Sequence, residues 1–283
     1  KNFFSGALIS DWQGLTGGSK YTPLSKSRSK ANLMANNRNW VYVCVDKISD
    51  TISGMDLKLM KFNSKGEDEQ VFDHKAISLL RKPNNNTTGR DMLYMMMSHL
   101  ELTGNAYILK DDERNPTQLQ VLNPAGVQMK IDKDTGMIEG YAYGSLSGGR
   151  KTIIPSRVIH MKYPNPANPL DGVGTLSHIA DWVDVDSAAT EFNRIFFENG
   201  AVVGGAVISE ATTQEALKLA KLGWEMQHQG TNNAHKTAFL PKGWDYKDIG
   251  KSQRDMEFSE MDSRFRDKIL SAFGVPKSVV GIT

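Results

Sequence analysis

Between Leu170 and Gly200 the chain reads LDGVGTLSHIADWVDVDSAATEFNRIFFENG, and this stretch limits the folds open to everything around it. Leu176, Ile179, Val183, Val185, Ala189, Phe192 and Phe196 recur at three- and four-residue steps, apart from one two-residue step between the valines. That is the periodicity of a helix with one buried stripe. The run opens after a Gly/Pro-rich segment and closes at Asn199-Gly200, a common helix C-terminus. A single helix from Leu176 to Asn199 would be roughly 36 Å long, the diameter of a small domain. Its other face carries Asp181, Asp184, Asp186, Glu191 and Glu198 against Arg194 alone. A second rod is expected from Ser252 to Phe273, where Phe258, Met261, Phe265, Ile269 and Phe273 step by 3, 4, 4 and 4. Two rods bracketing a compact segment read as a strut.

The segment between them, residues 201–250, reads as strand–helix–strand. Ala201–Ser209 is a small-residue apolar strand. Thr212 and Glu215 make a capping box for a helix through Gln229, and Thr237–Leu240 is a second strand followed by a turn at Pro241–Trp244.

Upstream, residues 1–36 are rich in Gly, Ser, Lys and Asn. Through residue 39 six basic residues (Lys1, Lys20, Lys26, Arg28, Lys30, Arg38) stand against Asp11 alone, so a flexible basic arm is expected. Asn39 is placed to cap a helix with Val41, Val45, Ile48 and Ile52 on its stripe and Cys44 packed among them. A hairpin follows, Met55–Phe62 and Gln70–Phe72 about a turn at Asn63–Gly66. Then come a short helix, His74–Leu80, and a longer one opened by Thr88 and Asp91 and running through Leu102.

From Asn105 to Lys162 the pattern switches to period two. Ala106–Leu109, Gln118–Leu122, Val127–Ile131, Ile138–Tyr143 and Val158–Lys162 are separated by turn chemistry, which predicts an antiparallel meander or small open barrel. Pro164, Pro166 and Pro169 then mark a boundary that no central strand or helix crosses. The class expected is α+β: an antiparallel β/helix domain, two long helices, and a small α/β insertion between them.

Nothing in the chain reads as an active site. Gly172-Val173-Gly174-Thr175 could offer helix amides to a phosphate, but it lacks the lysine of a P-loop and the third glycine of a dinucleotide fingerprint. The six histidines show no HxxxH or HxH spacing, and there is no GxSxG elbow. Asp181, Asp184 and Asp186 do not converge on one ion from a helix. No catalytic, metal or cofactor site is expected. His160, alone on a strand, reads as structural. Cys44 is the only cysteine, which excludes an intrachain disulfide and fits folding in a reducing compartment. No stretch approaches the ~20 apolar residues of a membrane helix, and KNFFSGALIS lacks a secretory pattern. A net charge of +2 does not mark a bulk nucleic-acid binder. The chain begins at Lys1 and stops just past a helix, which reads as a fragment or the ordered part of a longer protein.

Taken together, short motifs in a fixed order resemble a known family. Trp40–Ile48 resembles the early helix of the portal proteins of tailed bacteriophages, HK97-like branch, and Arg81-Lys82-Pro83-Asn84 resembles their "RPN" loop. Thr103-Gly104-Asn105-Ala106-Tyr107 is similar to their "GNAY" turn, as are Leu122-Asn123-Pro124 with Val127, and Val158–Met161, to later strand motifs. Gly172–Leu176 resembles the opening of their long helix. Asn199-Gly200-Ala201 with Gly204-Gly205, and Phe273–Pro276 with Gly281, complete the series across residues 40–283.

The resemblance implies a head-to-tail connector, a dodecameric ring at one capsid vertex of the virion, made in the bacterial host cytoplasm. Residues 1–39 would be an arm, 40–170 the wing, 171–200 the first stem helix, 201–250 the clip, and 251–283 the second stem helix with the start of the channel loop. The crown would follow beyond Gly281. Implied partners are further copies of the chain, double-stranded DNA in the channel, the terminase large subunit, a head–tail adaptor, and the major capsid or scaffold protein; neither a membrane nor an enzyme activity is implied. Candidate channel-facing residues are Asp181, Asp184, Glu191, Lys247, Lys251 and Arg254. Candidate clip contacts are Trp224, His228, His235, Lys236 and Lys242. Two rival readings are another ring or adaptor component of a phage particle, and an enzyme holding a phosphorylated ligand at Gly172–Thr175.

Overall fold

The structure is a computed structural model that describes residues 24, 26–62, 66–145, 149–198, 205–209, 244–248 and 258–282. They belong to two units, one of residues 1–183 with 267–283 and the other of Asp184–Arg266. The class is α+β.

In the first unit, α1 (Lys30–Ala35) and α2 (Asn39–Ser53) precede a hairpin of β1 (Leu59–Phe62) and β2 (Asp68–Val71). Next come α3 (Lys75–Arg81) and α4 (Gly89–Thr103), the latter opened by the expected capping box of Thr88 and Asp91 and closed by Gly104 at φ 75°. The arm expected through residue 39 is in part a docked helix. Ser29 caps α1, and Leu24 and Leu33 enter the same core as Val41, Cys44 and Val45. The polar spacing of that segment hides two apolar anchors, too few for a periodic signal. Asn39 is not the cap either: Arg38 holds that position without a side-chain bond, and Asn39 starts the helix at φ 51°.

The period-two region forms two three-stranded antiparallel sheets, not one meander. One has the order β4 (Leu119–Leu122), β3 (Asn105–Lys110), β8 (Val158–Lys162); the other has β5 (Val127–Ile131), β6 (Ile138–Ser145), β7 (Gly149–Ile153). β8 returns across the chain to pair with β3, Asn105 opposite Lys162 and Ile108 opposite Ile159. β7 reads GRKTI; four of its five residues are exposed, which erased the alternation that marks a strand.

The three layers are fixed by which face each residue uses. Ile108, Leu119, Val121 and Met161 of the first sheet pack on Met92 and Met96 of α4 and on Leu79 and Leu80 of α3. The opposite face, Tyr107, Leu109 and Leu122, packs on Val127, Tyr141, Tyr143 and Ile153 of the second sheet. α2 lies along α4, and the buried Ser49 and Ser98 hydroxyls join them at 3.0 Å.

The first rod is interrupted. α5 (Thr175–His178) ends at Ile179, whose φ of −106° and ψ of 16° leave the helix, and α6 (Ala180–Glu198) restarts at once. Leu176, Ile179, Ala180 and Val183 fill the core beside Leu102, Ile269, Leu270 and Phe273. The second rod is α7 (Phe258–Ala272), closed by Gly274 at φ 67° with the Val275 N–H on the Leu270 carbonyl, a Schellman arrangement.

In the second unit β9 (Gly205–Ser209) pairs antiparallel with β10 (Trp244–Asp248). Trp244 therefore starts a strand where a turn was expected, because Trp244 and Tyr246 supply a period-two signal across a Gly-containing sequence. The expected helix 212–229 and strand 237–240 lie outside the described residues. On α6, Val183 is buried as the periodicity predicts, but Val185 and Phe192 of the same stripe are exposed and Asp186 of the opposite face is buried; Ile195, off the stripe, is exposed too.

Candidate functional site

The motif residues scattered through the sequence meet at the foot of the first rod. The turn from α4 into β3 puts Gly104 against the backbone of Val173 and Gly174, closer than any side chain would permit. Asn105, fully buried, clamps the same loop. Its amide nitrogen donates to the Thr103 and Gly172 carbonyls, both at 2.9 Å, and its oxygen accepts the Gly172 N–H at 2.9 Å. From one turn earlier on α4, the buried Glu101 carboxylate accepts the Tyr163 hydroxyl at 2.5 Å and the Thr175 hydroxyl at 3.0 Å. Burial, then the bond to Glu101, pushes the Tyr163 hydroxyl well above its ordinary range.

These bonds fix the chemistry of His160. The Asn105 oxygen already accepts from Gly172, so the His160 Nε2 at 3.0 Å donates to it, and Nδ1 is left to accept from the Tyr141 hydroxyl at 3.4 Å. That is a neutral imidazole, stacked on Tyr107 with centroids 4.4 Å apart. Burial holds its pKa down to about 4, helped by the charges of Lys162 and Lys30. Lys30 of α1 closes the cluster, donating to Asp171 at 2.9 Å and to the Tyr107 hydroxyl at 3.0 Å. Sequence reading reached His160 as structural and flagged Gly104-Asn105 and Gly172–Thr175 separately. It missed Glu101, Tyr163, Asp171 and Lys30, whose types carry no spacing signal.

The glycine loop is accordingly no anion cradle. The Gly172 amide is spent on Asn105, a Cβ on Gly174 would meet the Glu101 carbonyl at 2.7 Å, and the Thr175 hydroxyl is spent on the Glu101 carboxylate. α5 behind it is only one turn long. A phosphorylated ligand there would find the loop closely packed and its Gly172 amide already bonded.

Of the channel-facing set, Asp181 is exposed, Asp184 half-buried, and Glu191 exposed but bonded to Arg194 at 2.6 and 2.9 Å. The side-chain bond from Arg194 lowers the Glu191 pKa. Lys247 sits in β10 opposite Ala206. Lys251, Arg254, Trp224, His228, His235, Lys236 and Lys242 lie outside the described residues. Among the described residues no His/Cys/Asp/Glu group could hold a metal, and no helix is long and apolar enough to cross a membrane.

Residues 39–283 match the family model for phage portal protein. An uncharacterized protein of Rickettsia bellii (strain RML369-C) is 27% identical over 251 residues, which is 86% of this chain and 64% of that protein. A probable portal protein of Streptomyces phage phiC31 is 26% identical over 257 residues, 85% of this chain and 54% of that protein. The chain thus spans less than two thirds of the length of these curated relatives. Among solved structures, the neck of a native gene transfer agent particle computed with C12 symmetry has a TM-score of 0.61 at 23% identity, covering 97% of this chain and 76% of that one. An HK97 family phage portal protein from Corynebacterium diphtheriae has a TM-score of 0.62 at 12% identity, covering 89% and 78%. Those two likenesses show the fold.

Proposed function

The chain belongs to the phage portal protein family, and from that premise we propose that it is one subunit of a closed ring at a capsid vertex, the conduit through which double-stranded DNA enters and leaves. The ring does no covalent chemistry; a separate terminase drives packaging. The observation that carries this reading is the interlock at Gly104 and Gly174. Two motifs of the resemblance touch backbone to backbone there, at the loop that opens α5, and Ala180 and Val183 at the start of α6 are buried in the core beside Leu102 and Leu176. A helix anchored at one end by a bonded, buried network suits a strut that bears load. The exposed Val185, Phe192 and Ile195 suit burial between neighbouring copies of α6.

On the channel side, a like-charged wall lets DNA slide, since attraction to each phosphate would create drag, and screening confines the effect to about 10 Å at 0.1 M salt. That wall is thinner than the sequence suggested, because Asp186 is buried and Glu191 shares its charge with Arg194. Asp181, Asp184 and Glu191 remain its candidates, with Lys247, Lys251 and Arg254 as a basic counterpart. Trp224, His228, His235, Lys236 and Lys242 are proposed to meet the terminase large subunit, the head–tail adaptor or the next copy, and the wing the capsid or scaffold protein.

The test is DNA content. Particles assembled with Asp181→Lys, Asp184→Lys and Glu191→Lys together should hold less nuclease-protected DNA than wild-type particles. Equal filling would remove the acidic wall from the account.

A further inference from the structure

Leu24 and residues 26–36 form a strap across the first unit, held at few points. Leu24 and Leu33 enter one core with Leu176 of α5 and Ile269 of α7, and α1 lies against α4 and the turn Pro124–Gly126. Lys26, Arg28, Ser29, Ala31 and Ala35 are exposed. The charged attachment is Lys30, which donates to the Asp171 carboxylate at 2.9 Å and to the Tyr107 hydroxyl at 3.0 Å. A six-residue helix with two apolar anchors is the kind of segment that opens before the core does.

Lys30 shares Tyr107 with His160. The imidazole stacks on that ring at 4.4 Å, and the Lys30 ammonium stands 5.3 Å from the centre of the same ring. The charged and titratable groups around His160 are Lys162 on its own strand, Tyr107 of β3, Tyr141 of β6, Lys30 of α1 and Asp171 of the loop beyond β8. A proton added at Nδ1 makes the Tyr141 hydroxyl turn and accept, and sets a second cation beside Lys30. The Asp171 charge favours an imidazolium, but the docked Lys30 already neutralises it. The strap's ammonium and a proton on His160 therefore compete for one carboxylate.

We propose that this strap is a proton-sensitive latch: when His160 takes up a proton, Lys30 leaves Asp171 and residues 26–36 release while α4 and β3 remain folded. The latch is independent of the ring reading. It acts where both rods enter the unit, because Leu176 and Ile269 share the strap's core. With the strap docked, burial and then the charges of Lys162 and Lys30 hold His160 down to about 4 against 6.5 ordinarily. Docking is therefore fully supported above about pH 6.5 and loses that support as pH falls toward 4. By reciprocity, removing the Lys30 charge makes His160 easier to protonate.

Hydrogen exchange of the full chain, read peptide by peptide and corrected for intrinsic rates, tests the latch. From pH 7 to pH 5 the protection of residues 26–36 should fall more steeply than that of α4 and β3. The fall reaches about twentyfold if release returns His160 to its ordinary value. His160→Gln keeps a donor for Asn105 and does not titrate, so its strap should hold level protection across that range. Lys30→Met keeps the aliphatic stem, and in it the His160 imidazole resonance should titrate at a higher pH than in wild type. A strap that loses protection no faster than α4, an equal fall in His160→Gln, or a His160 titration unmoved by Lys30→Met would each overturn the latch. Should His160→Gln fail to fold, the wild-type exchange profile and the Lys30→Met titration decide the matter between them.

Discussion

Gly104 and Gly174 meet backbone to backbone: a methyl group built on Gly104 would lie 2.5 Å from the Gly174 nitrogen, and one built on Gly174 would lie 2.7 Å from the Gly104 nitrogen. Gly104 also holds φ at 75°, which an L side chain resists. Gly104→Ala therefore carries a backbone and a packing penalty together, about 2–4 kcal/mol. Urea unfolding should show a lower midpoint with an unchanged slope. A variant as stable as wild type would mean the loop and the turn do not bear on one another.

Glu101→Gln keeps the shape of the side chain but replaces one carboxylate oxygen with a donor, facing the hydroxyl of Tyr163 or Thr175. The loss expected is about 1–3 kcal/mol. Tyr163→Phe in the same background should cost less than in wild type, since the two changes remove one bond. Full additivity in a double-mutant cycle would contradict that pairing.

Acid should weaken the fold well above the pH at which most carboxylates titrate. His160 and His99 are held near 4 in the folded protein against 6.5 ordinarily, both chiefly by burial. Between those values the unfolded chain takes up protons that the folded chain refuses. Their contribution is complete above about pH 6.5 and is lost as pH falls toward 4. His99 is the more buried, and its share is about 3 kcal/mol. Asp112 and Asp132, held below 3.8 chiefly by backbone N–H donors, act only at lower pH. Stability measured from pH 7 to 4.5 should fall, more gently in His99→Leu; a flat profile would contradict the assignment.

Cys44 should be silent toward thiol reagents. Burial, then the Glu101 charge, pushes its thiol up to about 12, so no thiolate forms at pH 8. A disulfide-exchange reagent should label it only after denaturant is added. Labelling of the native protein within minutes would show that the core around α2 and α4 opens.

Where local pattern and tertiary packing agree, the fold was legible: the capping box at Thr88, the stripe of α2, and the Gly274 stop of α7 all follow from spacing. It failed where a residue's neighbours are distant in sequence. β8 pairs with β3 across some fifty residues, and no local pattern distinguishes that from a meander. β7 and α1 were hidden because edge strands and docked segments keep polar faces. In the site, Gly104 and Gly172–Thr175 were visible as motifs, yet their contact was not, because it depends on Glu101 and Asn105 aiming at a loop roughly seventy residues away. The acidic face of α6 was overread, since periodicity alone does not tell which carboxylates are buried or bonded.

The ring itself is open to direct observation. Electron micrographs of the purified protein, averaged without imposed symmetry, should show annular particles with a central hole wide enough for duplex DNA and a single rotational order. A population of monomers or compact dimers without a hole, at concentrations where the protein is soluble and folded, would contradict the account.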